Sequence, residues 1–266
     1  MKVSIITVVY NAINTLGSTI NSVLTQQYGD IEYILVDGNS KDGSRELIQS
    51  VAEKHPIRWV SEPDKGIYDA MNKGIRMATG DVVGILNADD FYAHEHVVSQ
   101  VVDAFRRSKA DSVYGDLAYV DAENVQRVVR YWKSGQYRHG AFRNGWMPPH
   151  PTFFVRREMY EKYNTFDLRL KSAADYELML RFIHKHQISV AYLPNVMVMM
   201  RTGGASNANL RNRFRANRED RLAWKINGLA PHPLTLLLKP LRKIGQYFLA
   251  LGQSPASVPS EGYVRP

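Results

Sequence analysis

Along the first hundred residues, apolar β-branched runs and helical patterns take turns at short, regular intervals, and this alternation limits the possible folds more than any other feature. VSIITVV (3–9) is continuous and β-branched, the pattern of a strand covered on both faces. After it, Leu16, Ile20, Val23 and Leu24 share one helical face. IEYILVD (31–37) reads as a second strand, SRELIQSVAEK (44–54) as a second helix and 58–60 as a short third strand. Within 64–80, Ile67, Ala70, Met71, Ile75 and Ala78 recur at helical spacing, with Gly80 where a C-cap is expected. DVVGIL is the fourth strand, and a helix follows at about 94–108. The pattern predicts an α/β fold, a mostly parallel central sheet flanked by helices. Ligands of such sheets gather at the carboxyl ends of the strands, where Asp37, Asn87, Asp89 and Asp90 stand.

The later sequence is less regular. SVYGDLAYV and VQRVVRYW read as mixed or antiparallel strands, and WMPPHPTFFVRRE (146–158) as a proline-rich loop entering a strand. SAADYELMLRFIHKH (172–186) predicts a helix with Ser172 as N-cap and Glu177 on its surface. A basic helix is expected over 207–226. In 234–251, Leu234, Leu237, Leu238, Leu241, Ile244, Phe248 and Leu251 alternate with Lys239, Arg242 and Lys243 in an amphipathic pattern that Pro240 kinks or delays. These readings divide the chain into a domain of 1–205 (a regular half of about 1–115 and a less regular half of about 116–205), a basic helical extension of 206–251 and a disordered tail of 252–266.

Charge follows the same division. Residues 1–200 carry 23 basic and 23 acidic side chains, whereas 201–243 carry ten basic against Glu219 and Asp220. The net charge of +8 is therefore one C-terminal patch. No nucleic-acid motif accompanies it, and its amphipathic end suits an anionic membrane surface better than a polynucleotide. Packing on the domain or on a second subunit, in a homo-oligomer, is the competing reading. The chain has no cysteine, which excludes disulfides and thiolate chemistry and suits a reducing cytoplasm. No stretch reaches the roughly 20 apolar residues of a spanning helix. The expected location is cytoplasmic, peripheral on the inner face of the cell membrane.

GILNADDF (84–91) runs an apolar strand directly into adjacent carboxylates. Asp89 and Asp90 either cap a turn or hold a divalent cation that offsets their repulsion. Read together, SIITVVYNA, VDGNSKDGS, SEPDKGIYDAMNKGIRMATGD, LNADD, HPTFFVRRE and AADYELMLR resemble, in order and spacing over about residues 1–205, the bacterial family 2 glycosyltransferases of GT-A fold. DKGIYDAMNKGI looks like the branch that builds cell-surface polysaccharides.

The resemblance implies sugar transfer, with inversion, from a nucleotide diphosphate-sugar, a UDP-sugar, to a lipid-linked glycan hydroxyl. It implies Mg²⁺ or Mn²⁺ on Asp89 and Asp90, with Asn87 where the family often has an Asp. It implies donor contacts from Tyr10, Asn11, Asp37, Asn72, Lys73, Asn87, Asp89 and Arg201. Gly38 stands where the family's second acid would be. Asp175 is the implied base, and His150 matches the acceptor side. Two alternatives remain: a non-catalytic sugar-nucleotide-binding partner in an assembly complex, and a nucleotidyltransferase. The latter would carry a glycine-rich, basic loop that TVVYNAINT lacks.

Overall fold

The computed structural model describes residues 1–203, 210–231 and 235, with the backbone alone for 210–217. The first half follows the expected alternation: β1 (Val3–Val9), α1 (Ile13–Leu24), β2 (Ile31–Asp37), α2 (Ser44–Ala52), β3 (Ile57–Ser61), α3 (Ile67–Met77) and β4 (Val82–Asn87). Next come β5 (Asp90–Tyr92), α4 (Val97–Ser108), β6 (Ser112–Val120), β7 (Val128–Trp132), β8 (Phe154–Arg156) and α5 (Arg157–Tyr163). A short helix α6 (Ala174–Met179) continues as a π-helical turn over Leu180–Lys185, followed by β9 (Val190–Arg201) and α7 (Leu210–Ile226).

The strands form one sheet in the order β3-β2-β1-β4-β8-β6-β9-β5, with β7 added to β6. The pairings β1–β2, β1–β4 and β2–β3 are parallel, while β8 runs antiparallel to both β4 and β6. Register aligns the parallel strands: Val9 opposes Asp37, Val8 opposes Asn87 and Asp37 opposes Ser61. The segments that carry Tyr10 and Asn11, Asp37, and Asn87 and Asp89 therefore leave the sheet side by side at one edge.

Alternate residues of each strand feed opposite faces. Val3, Ile5, Leu35 and Leu86 pack with Leu16 and Ile20 of α1, Ile48 of α2 and Val101 and Phe105 of α4. Ile6, Ile34 and Ile85 pack with Met71 and Ile75 of α3 and with Tyr176, Leu178, Met179 and Trp224 on the other face.

Three sequence readings are corrected here. Gly80 is not a C-cap, since α3 ends at Met77 and Ala78 is already extended. A Cβ at Gly80 would lie 2.7 Å from Ser4 Oγ and 2.8 Å from the Lys2 carbonyl, so close approach of β1 selects the glycine. Ser172 does not cap its helix. Glu219 of α7 instead holds the segment ahead of the helix, its Oε2 accepting the N–H groups of Lys171 (3.0 Å), Ser172 (2.7 Å) and Ala173 (3.1 Å). Finally, the division at residue 205 does not follow the packing. Ala223 and Trp224 of α7 are fully buried in the domain core, and Trp224 Nε1–H donates to Tyr176 Oη at 2.8 Å.

The amphipathic 234–251 segment and the 252–266 tail lie outside the described residues, except for Thr235, whose hydroxyl donates to the Arg143 carbonyl at 2.5 Å. No helix among the described residues is long and apolar enough to cross a membrane.

The opposite edge of the sheet is fastened by Glu32 at the start of β2. Burial alone would raise its pKa, but hydrogen bonds from Ser4, Thr79 and Arg58 outweigh that and lower it from 4.5 to about 2. A folded-state pKa below the unfolded value means that the stabilisation is complete above about pH 4.5 and disappears as pH falls towards 2. The expected contribution is on the order of 2–3 kcal/mol. Urea unfolding of wild type and Glu32→Gln at pH 7 and pH 3 checks this: the gap between them should narrow at the lower pH. An equal gap at both would show that the carboxylate is not what fastens this edge.

Candidate active site

At the carboxyl edge of the sheet, Tyr10 follows β1 and is 69% exposed, a high value for a tyrosine. Gly38 lies beneath its ring. A Cβ at Gly38 would stand 3.2 Å from Tyr10 Cδ2 and 2.6 Å from Asp64 Oδ2. The place of the missing second acid is thus taken by Asp64, from the β3–α3 loop. Asp64 Oδ1 accepts the Gly66 N–H at 2.9 Å, leaving Oδ2 turned towards Gly38 and Tyr10. Sequence reasoning did not single out Asp64. The SEPDKG run contained it, but only the fold brings it beside Gly38.

Asn11 and Asp37 shape this edge. Asn11 sits in the left-handed region (φ 48°), its N–H donating to Ser40 Oγ (2.8 Å) and its Oδ1 accepting the Lys41 N–H (2.9 Å). Asp37 is fully buried, with Oδ2 accepting from the Ser61 hydroxyl (2.6 Å) and the Ser40 N–H (3.1 Å). Both residues tie the β2 exit to its neighbours, and the outward-facing acid at this point is Asp64.

β4 delivers Asn87, Asp89 and Asp90. Asp90 opens β5, pairing opposite Met200 of β9, and is fully buried. Asn87 Nδ2–H donates to Asp90 Oδ2 at 3.3 Å, while Asn87 Oδ1 and Asp90 Oδ1 are buried with no hydrogen-bond partner among the described residues. Asp89 is only half-buried. Burial raises its pKa, opposed by its own backbone N–H and by Arg201. Burial and then the Asp89 charge push Asp90 well above the carboxylate range. Two adjacent acids resisting ionisation, with orphaned oxygen atoms between them, are a hard-oxygen donor set of the kind a divalent cation relieves. No group of three or more His, Asp or Glu side chains converges among the described residues, so these groups could only supply part of a coordination shell.

Arg201, the last residue of β9, reaches across this turn. Its guanidinium donates to the Asp89 carbonyl (2.6 Å) and to Ser18 Oγ of α1 (2.8 Å) and stacks over Phe91 at 4.8 Å. Gly203 closes the described part of the RTGGAS loop at φ 97°, and 204–206 lie outside the described residues.

A second cluster forms around the N-terminus of α6. Asp175 is half-buried, and its Oδ1 accepts from the Tyr68 hydroxyl at 3.0 Å. His150 is buried edge-on against Phe166 (centroids 5.5 Å, 76°). Burial lowers its pKa, and the Asp175 charge opposes that. Tyr68 is four residues from Asp64, so the two Cα atoms are at most roughly 14 Å apart. The Asp175 cluster and the strand-edge cluster are therefore neighbours.

Two expected donor residues do other work. Asn72 commits both amide atoms to the Phe166 backbone, donating to its carbonyl and accepting its N–H, each at 2.9 Å. Lys73 turns to the Pro63 carbonyl (2.8 Å) and to Glu62 (3.0 Å), bracing the loop that carries Asp64. A correction also applies to Glu177. It is buried, not on the helix surface, and is held by Arg181 (2.9 Å) and by Asn227, just past the end of α7 (2.9 Å).

The sequence model of glycosyl transferase family 2 matches residues 4–164, more than half of the chain. The chain belongs to glycosyl transferase family 2. An uncharacterized family relative, a glycosyltransferase of Mycobacterium tuberculosis H37Rv, is 33% identical over 187 residues, covering 67% of this chain and 68% of its own. Among solved structures, S. aureus TarS 1–349 in complex with UDP-GlcNAc superposes with a TM-score of 0.67 at 15% identity, over 94% of this chain and 73% of that one. In its UDP complex the match spans 65% of the TarS chain. The mannosyltransferase PcManGT from Pyrobaculum calidifontis, in complex with GDP-Man and Mn²⁺, gives a TM-score of 0.65 at 19% identity over 94% and 74%. At those identities the likeness establishes the GT-A type fold. Family 2 membership sets the nucleotidyltransferase alternative aside.

Proposed function

We propose that the protein transfers a sugar, with inversion at the anomeric carbon, from a nucleoside diphosphate-sugar to a hydroxyl of a lipid-linked glycan during surface polysaccharide synthesis. The observation that carries this reading is the half-buried Asp175 carboxylate, held at one oxygen by Tyr68, on a segment adjacent to the strand edge where Tyr10, Asp64 and Asp89 gather. The exposed Tyr10 ring offers a face for the nucleobase, and Asp64 Oδ2 offers an acceptor beside it. The imino N–H of uracil suits that acceptor, as does that of guanine; a UDP-sugar is the donor that the family resemblance implies. Arg201, braced on the Asp89 carbonyl and on Ser18, would contribute positive charge near the diphosphate.

Asp89, with Asp90 and the Asn87 oxygen behind it, would hold Mg²⁺ or Mn²⁺, which when bound neutralises charge on the departing diphosphate. The PcManGT structure is of a complex with GDP-Man and Mn²⁺, which supports the analogy. Asp175 takes the proton of the acceptor hydroxyl. The acceptor oxygen forms its bond to the anomeric carbon as the bond to the diphosphate breaks, and that electron pair leaves with the diphosphate. His150, neutral because it is buried, lines the acceptor side next to Asp175. Calorimetric titration with a panel of UDP- and GDP-sugars, with and without Mn²⁺, tests the reading and identifies the base.

Membrane association belongs to the same proposal. Arg218, Arg221, Leu222 and Lys225 recur at spacings of three and four and are exposed, while Glu219, Asp220, Ala223 and Trp224 face the domain. This basic outer face suits anionic head groups at the inner membrane surface. The protein is expected to sediment with phosphatidylglycerol vesicles in low salt, and Arg218→Glu/Arg221→Glu/Lys225→Glu to stay in the supernatant. Equal sedimentation of both would remove α7 from the membrane contact.

A further inference from the structure

Tyr68 and Asn72 lie one turn apart on the same face of α3, and both grip the segment that leads into Asp175. Asn72 holds the backbone of Phe166 through two hydrogen bonds. The Tyr68 ring stacks on the Phe166 ring (centroids 5.5 Å, 26°), and its hydroxyl continues past that ring to Asp175 Oδ1 at 3.0 Å. One helix face therefore fixes the segment at its backbone, at an aromatic ring and at the carboxylate itself.

We propose that Tyr68 is a positioning residue for Asp175, occupying Oδ1 so that Oδ2 alone is presented to the acceptor hydroxyl. The inference rests on the reading of Asp175 as the base. A carboxylate with both oxygens free rotates about its χ2 torsion, and each rotation offers the hydroxyl a different lone pair. A donor locked on one oxygen removes that freedom. Tyr68 can act as that donor because its proton is firmly held: burial, and after it the Asp175 charge, raise its pKa well above that of a free phenol.

The other charged or titratable groups facing the pair are few. His150 comes from the turn before β8, and Glu219 from α7, where its carboxylate is held by the backbone of 171–173. Lys65, Asp69 and Lys171 line the small cleft beside Tyr68. None of them is hydrogen-bonded to Asp175 among the described residues, so the Tyr68 hydroxyl is the direct control on its carboxylate.

The test compares wild type with Tyr68→Phe, which keeps the ring stacked on Phe166 and should melt within a few degrees of wild type. Transfer from the donor that calorimetry selects should lose roughly tenfold in kcat with unchanged donor KM. Asp175→Asn/Tyr68→Phe should be no slower than Asp175→Asn alone, because without the carboxylate the hydroxyl has nothing left to position. Full kcat in a folded Tyr68→Phe protein, or a further tenfold loss in the double variant, overturns the proposal, while an inactive Asp175→Asn would leave the base reading standing. Full transfer by Asp175→Asn overturns the base reading itself, whatever Tyr68→Phe does.

Discussion

Asp175→Asn is expected to lower sugar transfer by about 10²–10⁴-fold while donor affinity stays within about twofold of wild type. Asparagine keeps the size of the side chain and can still accept the Tyr68 hydroxyl at Oδ1, so the α6 N-terminus and the Phe166 packing should survive. What it loses is the lone pair basic enough to take the acceptor proton. Because Tyr10, Asp64 and Asp89 sit on other segments, donor binding should not register the change. The measurement is single-turnover transfer of radiolabelled sugar to a lipid extract of the source organism, beside calorimetry of the donor. Near-wild-type transfer would move the base elsewhere. Loss of donor binding together with transfer would mean that the substitution had disturbed the whole cleft.

The second large effect concerns stability. Trp224→Ala should destabilise the protein by about 3–5 kcal/mol, the range for deleting a fully buried aromatic side chain. Trp224 is buried in the same core as Phe142 and Tyr176, packs edge-on against His184 (centroids 5.3 Å) and donates to the Tyr176 hydroxyl, a hydrogen bond the alanine would lose. Thermal melting should fall by roughly 10 °C. A chain truncated after residue 205 loses Trp224 and also Glu219, exposing three backbone N–H groups at 171–173, and is expected to be insoluble or molten. A soluble, cooperatively melting 1–205 fragment would show that α7 is an appendage after all.

That contrast shows where the sequence was legible. β1 and β2 announce themselves because their apolar runs are continuous, and the structure starts and ends them at Val3–Val9 and Ile31–Asp37 as the sequence analysis has them. The strand-end carboxylates follow from the same pattern. β5 is three residues long and leaves no periodic signal. β9 spans 12 residues but contains Pro194 and Asn195, where its pairing with β6 slips register, so its apolar ends do not read as one strand. The anchoring of the α6 entry by Glu219 was unreadable for another reason: the two partners are more than forty residues apart, and a basic helix gives no sign that its one acidic pair faces inward.

In the site, motif likeness identified Asp175 and the Asp89–Asp90 turn as places to look, yet it could not say which side chains face outward. Asn72 and Lys73 sit on the motif helix but turn to Phe166 and to the Pro63 loop. Asp37 is sealed by Ser61 and Ser40, and the neighbouring Asp64 faces the open edge instead. Orientation depends on packing partners from distant segments, which a single sequence does not display.

The most direct test of the account is calorimetric titration of the full-length protein with UDP-GlcNAc, other UDP-sugars and GDP-mannose, with and without Mn²⁺, repeated on Asp89→Ala. The account predicts one base preferred over the other, tighter binding with Mn²⁺, and loss of that Mn²⁺ dependence in Asp89→Ala. Binding of equal strength with and without Mn²⁺, unchanged in the variant, would make Asp89 and Asp90 a structural turn and contradict the proposed donor site.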